Sequence, residues 1–296
     1  MNVQMNKYSV SFLLYLITEI EKILIDKKVV EYTEDHEIRM LRRIRDIARD
    51  LQITVLFDAD LHNDIEALCI FKPGTIRGYC IILNRNVLTK DPNIHAAILH
   101  ELSHILAEDP WNYYSSEDEP NDLFQSLDKY RSNSLIYDLL EMKTELLVAV
   151  LAFSPKTLFA ESFYQQGADF KAIASVYNMP LDCCIKWTLI TMRQFDGHYF
   201  KYCDTCGQEE DRYIPQNPFY RDFSWKSSAR LLANSTVAQQ CFRLKKDIAG
   251  QSHSELGEAT FHCQAYYVDN GTCEKLLVVG WPLEVYDSLP PPNRSN

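Results

Sequence analysis

The sequence predicts an α+β protein. It should have a mainly helical core with a small sheet, a helix-turn-helix-like segment, and a C-terminal α/β or mainly β module. Three observations carry this. An apolar run, Tyr79 to Asn84, leads into a capped helical pattern containing His100-Glu101-Leu102-Ser103-His104. A second helical pattern, Leu139 to Pro155, is apolar at every position from Leu146 to Phe153. After about residue 195, helical periodicity gives way to strand-like alternation.

The elements follow in order. Phe12, Leu16, Ile20 and Ile23/Leu24 make one face of an amphipathic helix over residues 8–28. Its apolar run, Phe12 to Ile17, is too short to span a bilayer, and Glu19, Glu21 and Lys22 follow at once. It reads as a packing helix rather than a signal peptide. Tyr79 to Asn84 reads as a buried strand. Asp91-Pro92 supplies an N-cap and a proline at the first helical position. Ile94, Ile98, Leu102 and Ile105 then form a core-facing stripe, and Asp109-Pro110 stops the helix. His100 and His104 share a neighbouring stripe with the small residues Ala96, Ala97 and Ala107.

Residues 109–134 are polar and acidic, with Trp111, Tyr113, Tyr114 and Tyr130 among them. A connection this long reads either as a lid, with one tyrosine donating to an oxyanion, or as a solvated loop. The C-terminal module carries Ala265 to Val268, the turn dipeptide Asn270-Gly271, and Lys275 to Trp281. The segments expected are 1–50, helices packing on the core; 51–160, the core; 161–195, helix-turn-helix-like; and 196–296, the C-terminal module.

The chemistry lies in His100 and His104. At positions i and i+4 of a helix, two imidazoles lie on one face and can grip one Zn²⁺. Glu101, between them, is placed to take a proton from water at the metal. A catalytic zinc needs a third protein ligand and one open position. Glu145 opens the apolar run of the second helix, where a carboxylate is costly without a strong partner. It is the preferred third ligand. Glu141, one turn earlier, is the alternative ligand or an outer acceptor for a ligand histidine. Cys203 and Cys206 form half of a zinc knuckle, a candidate second zinc site that His198, Cys241, His262 or Cys263 could complete.

With these residues in place, the chain resembles the ImmA/IrrE-type zinc metallopeptidases, a zincin-like family. The resemblance covers about residues 50 to 193. It rests on the strand, the His-Glu-x-x-His helix, and a second helix that begins with a glutamate, continues through Ala149 and Ala152, and ends at Pro155. The run from Ala168 to Leu181 matches the helix-turn-helix-like segment that follows in that family. The Glu145-to-Pro155 spacing is one residue short of the family's, which keeps Glu141 in play. The resemblance implies an intracellular enzyme that cleaves or destabilises a partner transcriptional repressor. It also implies a GAF-like sensor in the C-terminal position.

Composition narrows the classes. A net charge of −11 argues against phosphate-driven nucleic-acid binding by the whole surface. The helix-turn-helix-like segment offers only Lys171, Lys186 and Arg193 as basic residues, so nucleic acid is not the favoured partner. The nine cysteines are odd in number and include the adjacent pair Cys183-Cys184, which fits reduced thiols and a cytoplasmic setting. With nine glycines there is no Gly-rich phosphate loop and no Gly-x-Ser-x-Gly elbow. The function expected is that of a zinc-dependent endopeptidase acting on a specific regulatory protein. The alternative is a non-catalytic regulator or scaffold with a structural or vestigial zinc, acting through its C-terminal module. Oligomeric state is not legible in the sequence.

Overall fold

The structure is a computed structural model. It describes residues 22, 24–26, 28–32, 34, 38–40, 44–63, 65–72, 78–107, 134–153, 162–163, 169–191, 198–203, 208–213, 235–253, 260–269 and 274–282. The expected lid over 109–134, with its tyrosines, lies outside them except for Ser134, as does most of the N-terminal helix. The fold is α+β, with helices and small sheets. The chain divides into two compact units. One comprises Ser11–Phe163 with Asp169–Trp187; the other comprises Met1–Val10, Tyr164–Ala168 and Thr188–Asn296.

The first unit begins with a short hairpin, β1 (Val30–Tyr32) and β2 (Ile38–Met40), and a helix, α1 (Ile44–Asp50). A three-stranded sheet follows: β3 (Thr54–Asp58), β4 (Ala67–Lys72) and β5 (Gly78–Asn84). The predicted strand is its centre. β5 runs parallel to β3 and antiparallel to β4, in the order β3-β5-β4. Cys80, Ile81 and Leu83 of β5 are buried. Ile81 and Leu83 join Cys69, Leu88 and Ile105 in one apolar cluster, with Ile94, Ala97 and Ile98 packed against it. That cluster seats the histidine-bearing helix, α2 (Asp91–Ala107), on the sheet.

Three local devices fix α2. Asn84 ends β5 fully buried, and its side-chain amide donates to the carbonyls of His62 and Ile65 at 3.0 and 2.8 Å. Its own oxygen accepts from the Asn86 N–H at 3.0 Å, so the strand-to-helix connection is tied to the loop before β4. The helix starts one residue earlier than the sequence suggests. Lys90 O accepts from Ile94 N, so Asp91 is the first helical residue and Pro92 the second. Asp91 therefore acts as a negative charge at the positive end of the helix rather than as its cap. At the other end, Lys143 Nζ donates to Ala107 O at 3.2 Å and satisfies one of the last carbonyls.

Lys143 belongs to α3 (Ser134–Ala152), which packs alongside α2. Leu146 to Ala149, Leu151 and Phe153 are buried, as an apolar run of that length requires. Next come α4 (Phe170–Val176) and α5 (Leu181–Thr191). Asp169 caps α4 by accepting from Lys171 N. The turn between them is built on Asn178, whose φ is 49°, and Met179 N reaches back to Ala174 O. Phe170, Ile173, Met179, Cys184, Ile185 and Trp187 are buried. The apolar positions of the helix-turn-helix-like segment thus serve packing.

Glycine scarcity leaves a mark. Four of the described helices end at Lys28, Gln52, Asn178 and Lys245, all with φ between 49° and 54°. Each passes the next N–H back five residues, as in Val29 N to Leu24 O and Ile53 N to Ala48 O. This is the closure usually given to glycine, made here by residues that pay a steric cost of about 1 kcal/mol.

The second unit is an antiparallel sheet in the order β7-β6-β10-β9-β8. Its strands are β6 (His198–Cys203), β7 (Gln208–Tyr213), β8 (Ile248–His253), β9 (Thr260–Asp269) and β10 (Glu274–Pro282). One helix, α6 (Thr236–Leu244), is capped by Ser235, which accepts from Ala238 N. Val237, Ala238 and Cys241 of α6 pack on Cys263, Ala265, Leu276 and Val278. Tyr266, Leu277 and Val279, on the opposite face, are buried as well. That explains why Leu276 to Val279 reads as continuous rather than alternating hydrophobicity. The β9–β10 ladder closes at Asp269↔Glu274; the expected Asn270-Gly271 turn lies outside the described residues.

Asn84→Ala should remove a buried side-chain amide that donates to the carbonyls of His62 and Ile65. It should cost about 1–3 kcal/mol of stability. Urea denaturation followed by circular dichroism checks this; an unchanged midpoint would refute the role given to Asn84.

Candidate metal centre

The site forms where α2 and α3 face each other. On α2, His100 and His104 are one turn apart, with ring centroids 4.8 Å apart and planes at 80°. Their Nε2 atoms converge to 3.1 Å. On α3, Glu141 presents both oxygens: Oε2 lies 3.4 Å from His100 Nε2, and Oε1 lies 3.6 Å from His104 Nε2. The ligand atoms of these three residues all lie within 4.8 Å of one another. Two donors each about 2.1 Å from one tetrahedral ion lie about 3.4 Å apart, so the observed spacings match the edges of one coordination tetrahedron. A further observation points the same way. Glu141 Oε2 is buried and accepts no hydrogen bond. Its nearest neighbour is the His100 imidazole, so a buried carboxylate and two imidazole nitrogens here face a common point that a cation would fill. The buried His100–His104–Glu141 group can therefore hold a metal ion.

Thr144 is part of the site, and the sequence reading did not include it. It stands on the same face of α3 as Glu141, three residues on. Its Oγ1 is 3.0 Å from His104 Nδ1 in a buried contact. With Nδ1–H donating to that hydroxyl, the lone pair of Nε2 is left for the ion. The signal was present: a lone hydroxyl residue inside a buried helical face, between two carboxylates.

The structure orders the two glutamates differently from the sequence reading. Glu145, the preferred ligand there, is turned away from the converging nitrogens. Its Oε1 pairs with Lys186 Nζ at 2.6 Å, and its Oε2 accepts from Trp187 Nε1 at 2.6 Å. The nearer histidine atom is the outward one: His100 Nδ1 lies 3.8 Å from Glu145 Oε1. The argument that a buried carboxylate at this position needs a strong partner holds, but the partner is a lysine. Lys186 and Trp187 sit on α5, about forty residues on, and nothing in the local pattern of α3 announces them.

Charge follows the same geometry. Burial pulls the His100 imidazole down, but Glu141 beside it, with the charges of Glu145 and Glu101, overcomes this and raises it to about 9. Burial pushes Glu141 up, yet His100, His104 and Lys186 hold it down at about 2. Burial likewise acts against Glu145, and Lys186 first, then His100, keep its carboxyl below the ordinary range. Without metal, the site is an imidazolium–carboxylate pair. Glu101, also buried, contributes negative charge from the same helix.

The other proposed ligands are not brought into a second cluster among the described residues. Cys241 and Cys263 belong to the apolar core between α6 and the sheet. Burial pushes the Cys263 thiol to about 12, which keeps it protonated and a poor ligand. Cys206 and the side chain of Cys203 lie outside the described residues. On α2, Ala97 packs into the core cluster rather than facing the site, while Ala96 and Ala107 are buried.

Two outcomes follow. Glu141→Gln and His104→Ala should each lose most of the bound metal, whereas Glu145→Gln should lose less. Metal analysis of the three variants checks this, and a larger loss from Glu145→Gln would restore Glu145 as the ligand. The second concerns pH. A metal requires the neutral imidazole, and His100 in the metal-free site stays protonated until about pH 9. Uptake must therefore expel a proton, and apparent affinity should rise about tenfold per pH unit below that point, then flatten. A chelator competition series across pH reads this directly; a flat profile at neutral pH would contradict it.

Comparison with known proteins bears on the fold. No protein-family model matches the chain, and no curated protein sequence matches it. Among solved structures, a Mycobacterium tuberculosis protein described as a transcriptional regulator is similar, with a TM-score of 0.60 and 11% sequence identity. The likeness covers 97% of this chain and 80% of that one. At that identity it concerns the fold alone.

Proposed function

We propose that this chain is a zinc-dependent endopeptidase acting on a specific regulatory protein, with a transcriptional repressor as the first candidate substrate. The observation that carries the reading is the convergence of His100, His104 and the buried Glu141 carboxylate, whose ligand atoms all lie within 4.8 Å of one another. Two nitrogens and one carboxylate at tetrahedral spacing suit Zn²⁺ and leave room for a fourth, non-protein ligand. When bound, zinc would supply Lewis acidity, lowering the pKa of water toward neutrality and polarising a carbonyl. His100, His104 and Glu141 would hold it. Thr144 fixes the tautomer and ring orientation of His104. Glu101 is the general base: it follows His100 on α2, takes the proton from the attacking water, and returns it to the leaving amine.

Other features support an intracellular setting without a membrane role. The described cysteines, Cys69, Cys80, Cys183, Cys184, Cys241 and Cys263, form no disulfide. No described helix is long and apolar enough to cross a membrane. Nucleic acid remains disfavoured: of the three basic residues in the helix-turn-helix-like segment, Lys186 is committed to Glu145. The second reading is a non-catalytic regulator with a structural metal, acting through the C-terminal unit. The C-terminal unit, compact and with an apolar core of its own, favours it.

Glu101→Gln separates the two. It keeps the side-chain size and removes the base, so bound zinc should be unchanged while cleavage of the partner falls about 10²–10⁴-fold. Co-expression with the candidate repressor, read on a gel, measures it. Equal cleavage, or an equal cellular response, by wild type and Glu101→Gln would sink the catalytic reading and leave the regulator.

A further inference from the structure

We infer that Lys186 and Trp187 are positioning residues of the metal centre, acting through Glu145 on the outward nitrogen of His100. The inference rests on the metal-centre reading above and deepens it. Glu145 is buried and stands outside the ligand cluster, yet it is aimed at that cluster from behind. His100 Nε2 faces Glu141 and His104; its Nδ1 faces Glu145 Oε1, 3.8 Å away. A ligand imidazole is commonly held by a carboxylate on its second nitrogen, which sets the ring plane and strengthens its basicity. Such a carboxylate works only if it stays ionised and does not rotate. Two donors provide both conditions here. Lys186 takes Oε1 and Trp187 takes Oε2, each at 2.6 Å. They are consecutive residues on α5, so the seating of one helix clamps both oxygens at once.

The two histidines are thus held in different ways. His104 is oriented by a neutral hydroxyl, Thr144, from the helix that also carries the ligand Glu141. His100 faces, at the 3.8 Å of an ion pair, a carboxylate whose own partners come from the second helix of the helix-turn-helix-like segment. Metal affinity is therefore sensitive to the placement of α5, and Lys186 is the contact through which that placement is felt.

The test uses the purified full chain with Zn²⁺ alone, by chelator competition, and the absorption spectrum of the Co²⁺-loaded protein. Lys186→Met and Trp187→Phe should each weaken Zn²⁺ binding about 10–100-fold and alter the Co²⁺ spectrum. Lys186→Arg keeps the charge and should stay within a few-fold of wild type. In a Glu145→Gln background, Lys186→Met should cost little more, because its route to the metal is already cut. Circular dichroism confirms that each variant is folded; if Lys186→Met is not, Lys186→Arg and Trp187→Phe carry the same comparison. Zn²⁺ affinity and Co²⁺ spectra that match wild type in folded Lys186→Met and Trp187→Phe would overturn the positioning role. So would an undiminished effect of Lys186→Met in the Glu145→Gln background. Wild-type protein that binds no metal at His100 and His104 would overturn the metal centre itself, a result distinguishable from the first.

Discussion

The structure around the site turns on the burial of two carboxylates, Glu141 and Glu145, one turn apart on the same apolar helix. Neither can sit there uncompensated, since an unpaired buried charge costs several kcal/mol. The helix cannot turn both outward without exposing the run from Leu146 to Leu151. Each carboxylate must therefore be met by something brought from elsewhere in the chain. Glu141 is met by two histidines of α2, one at each carboxylate oxygen. Glu145 is met by a lysine and an indole of α5. The packing of three helices is dictated by what those two side chains require.

The scaffold delivers these partners by ordinary means. β5 is the central strand of its sheet, and its buried residues form the seat of α2. Asn84 ties the end of that strand to the loop before β4, so the helix leaves the sheet at a fixed point. Lys143, which a surface view would pair with a neighbouring glutamate, instead reaches the last carbonyl of α2. The same helix thus supplies the candidate ligand Glu141, the Thr144 hydroxyl against His104, and a link to the end of α2. A metal site needs this kind of support, because ligands shifted by an ångström no longer share one ion.

The electrostatics agree with the packing. Glu101, Glu141 and Glu145 place three carboxylates around two histidines and one lysine. In such a setting an imidazole is drawn toward its charged form, and a cation replaces the proton at little rearrangement. The chain's overall acidity adds to this locally. It also leaves few free basic groups on the helix-turn-helix-like segment, whose buried face is given to packing and whose Lys186 is taken up by Glu145.

The sequence by itself determined what is local in period or spacing. The buried strand before α2, the i, i+4 histidines with Glu101 between them, the buried second helix, and the β9 and β10 runs were all legible because side-chain periodicity records which faces are covered. The low glycine count was equally legible, although its consequence, four helix ends closed by lysine, glutamine and asparagine, was not. Only the tertiary structure decided between Glu141 and Glu145. Both lie on one face of α3, and their spacing says nothing about which faces α2 and which faces α5. The decision came from Lys186 and Trp187, distant in sequence, whose donors satisfy Glu145 and leave Glu141 to the histidines. Thr144 and Lys143 found their roles in the same way, through partners that no window of the sequence contains.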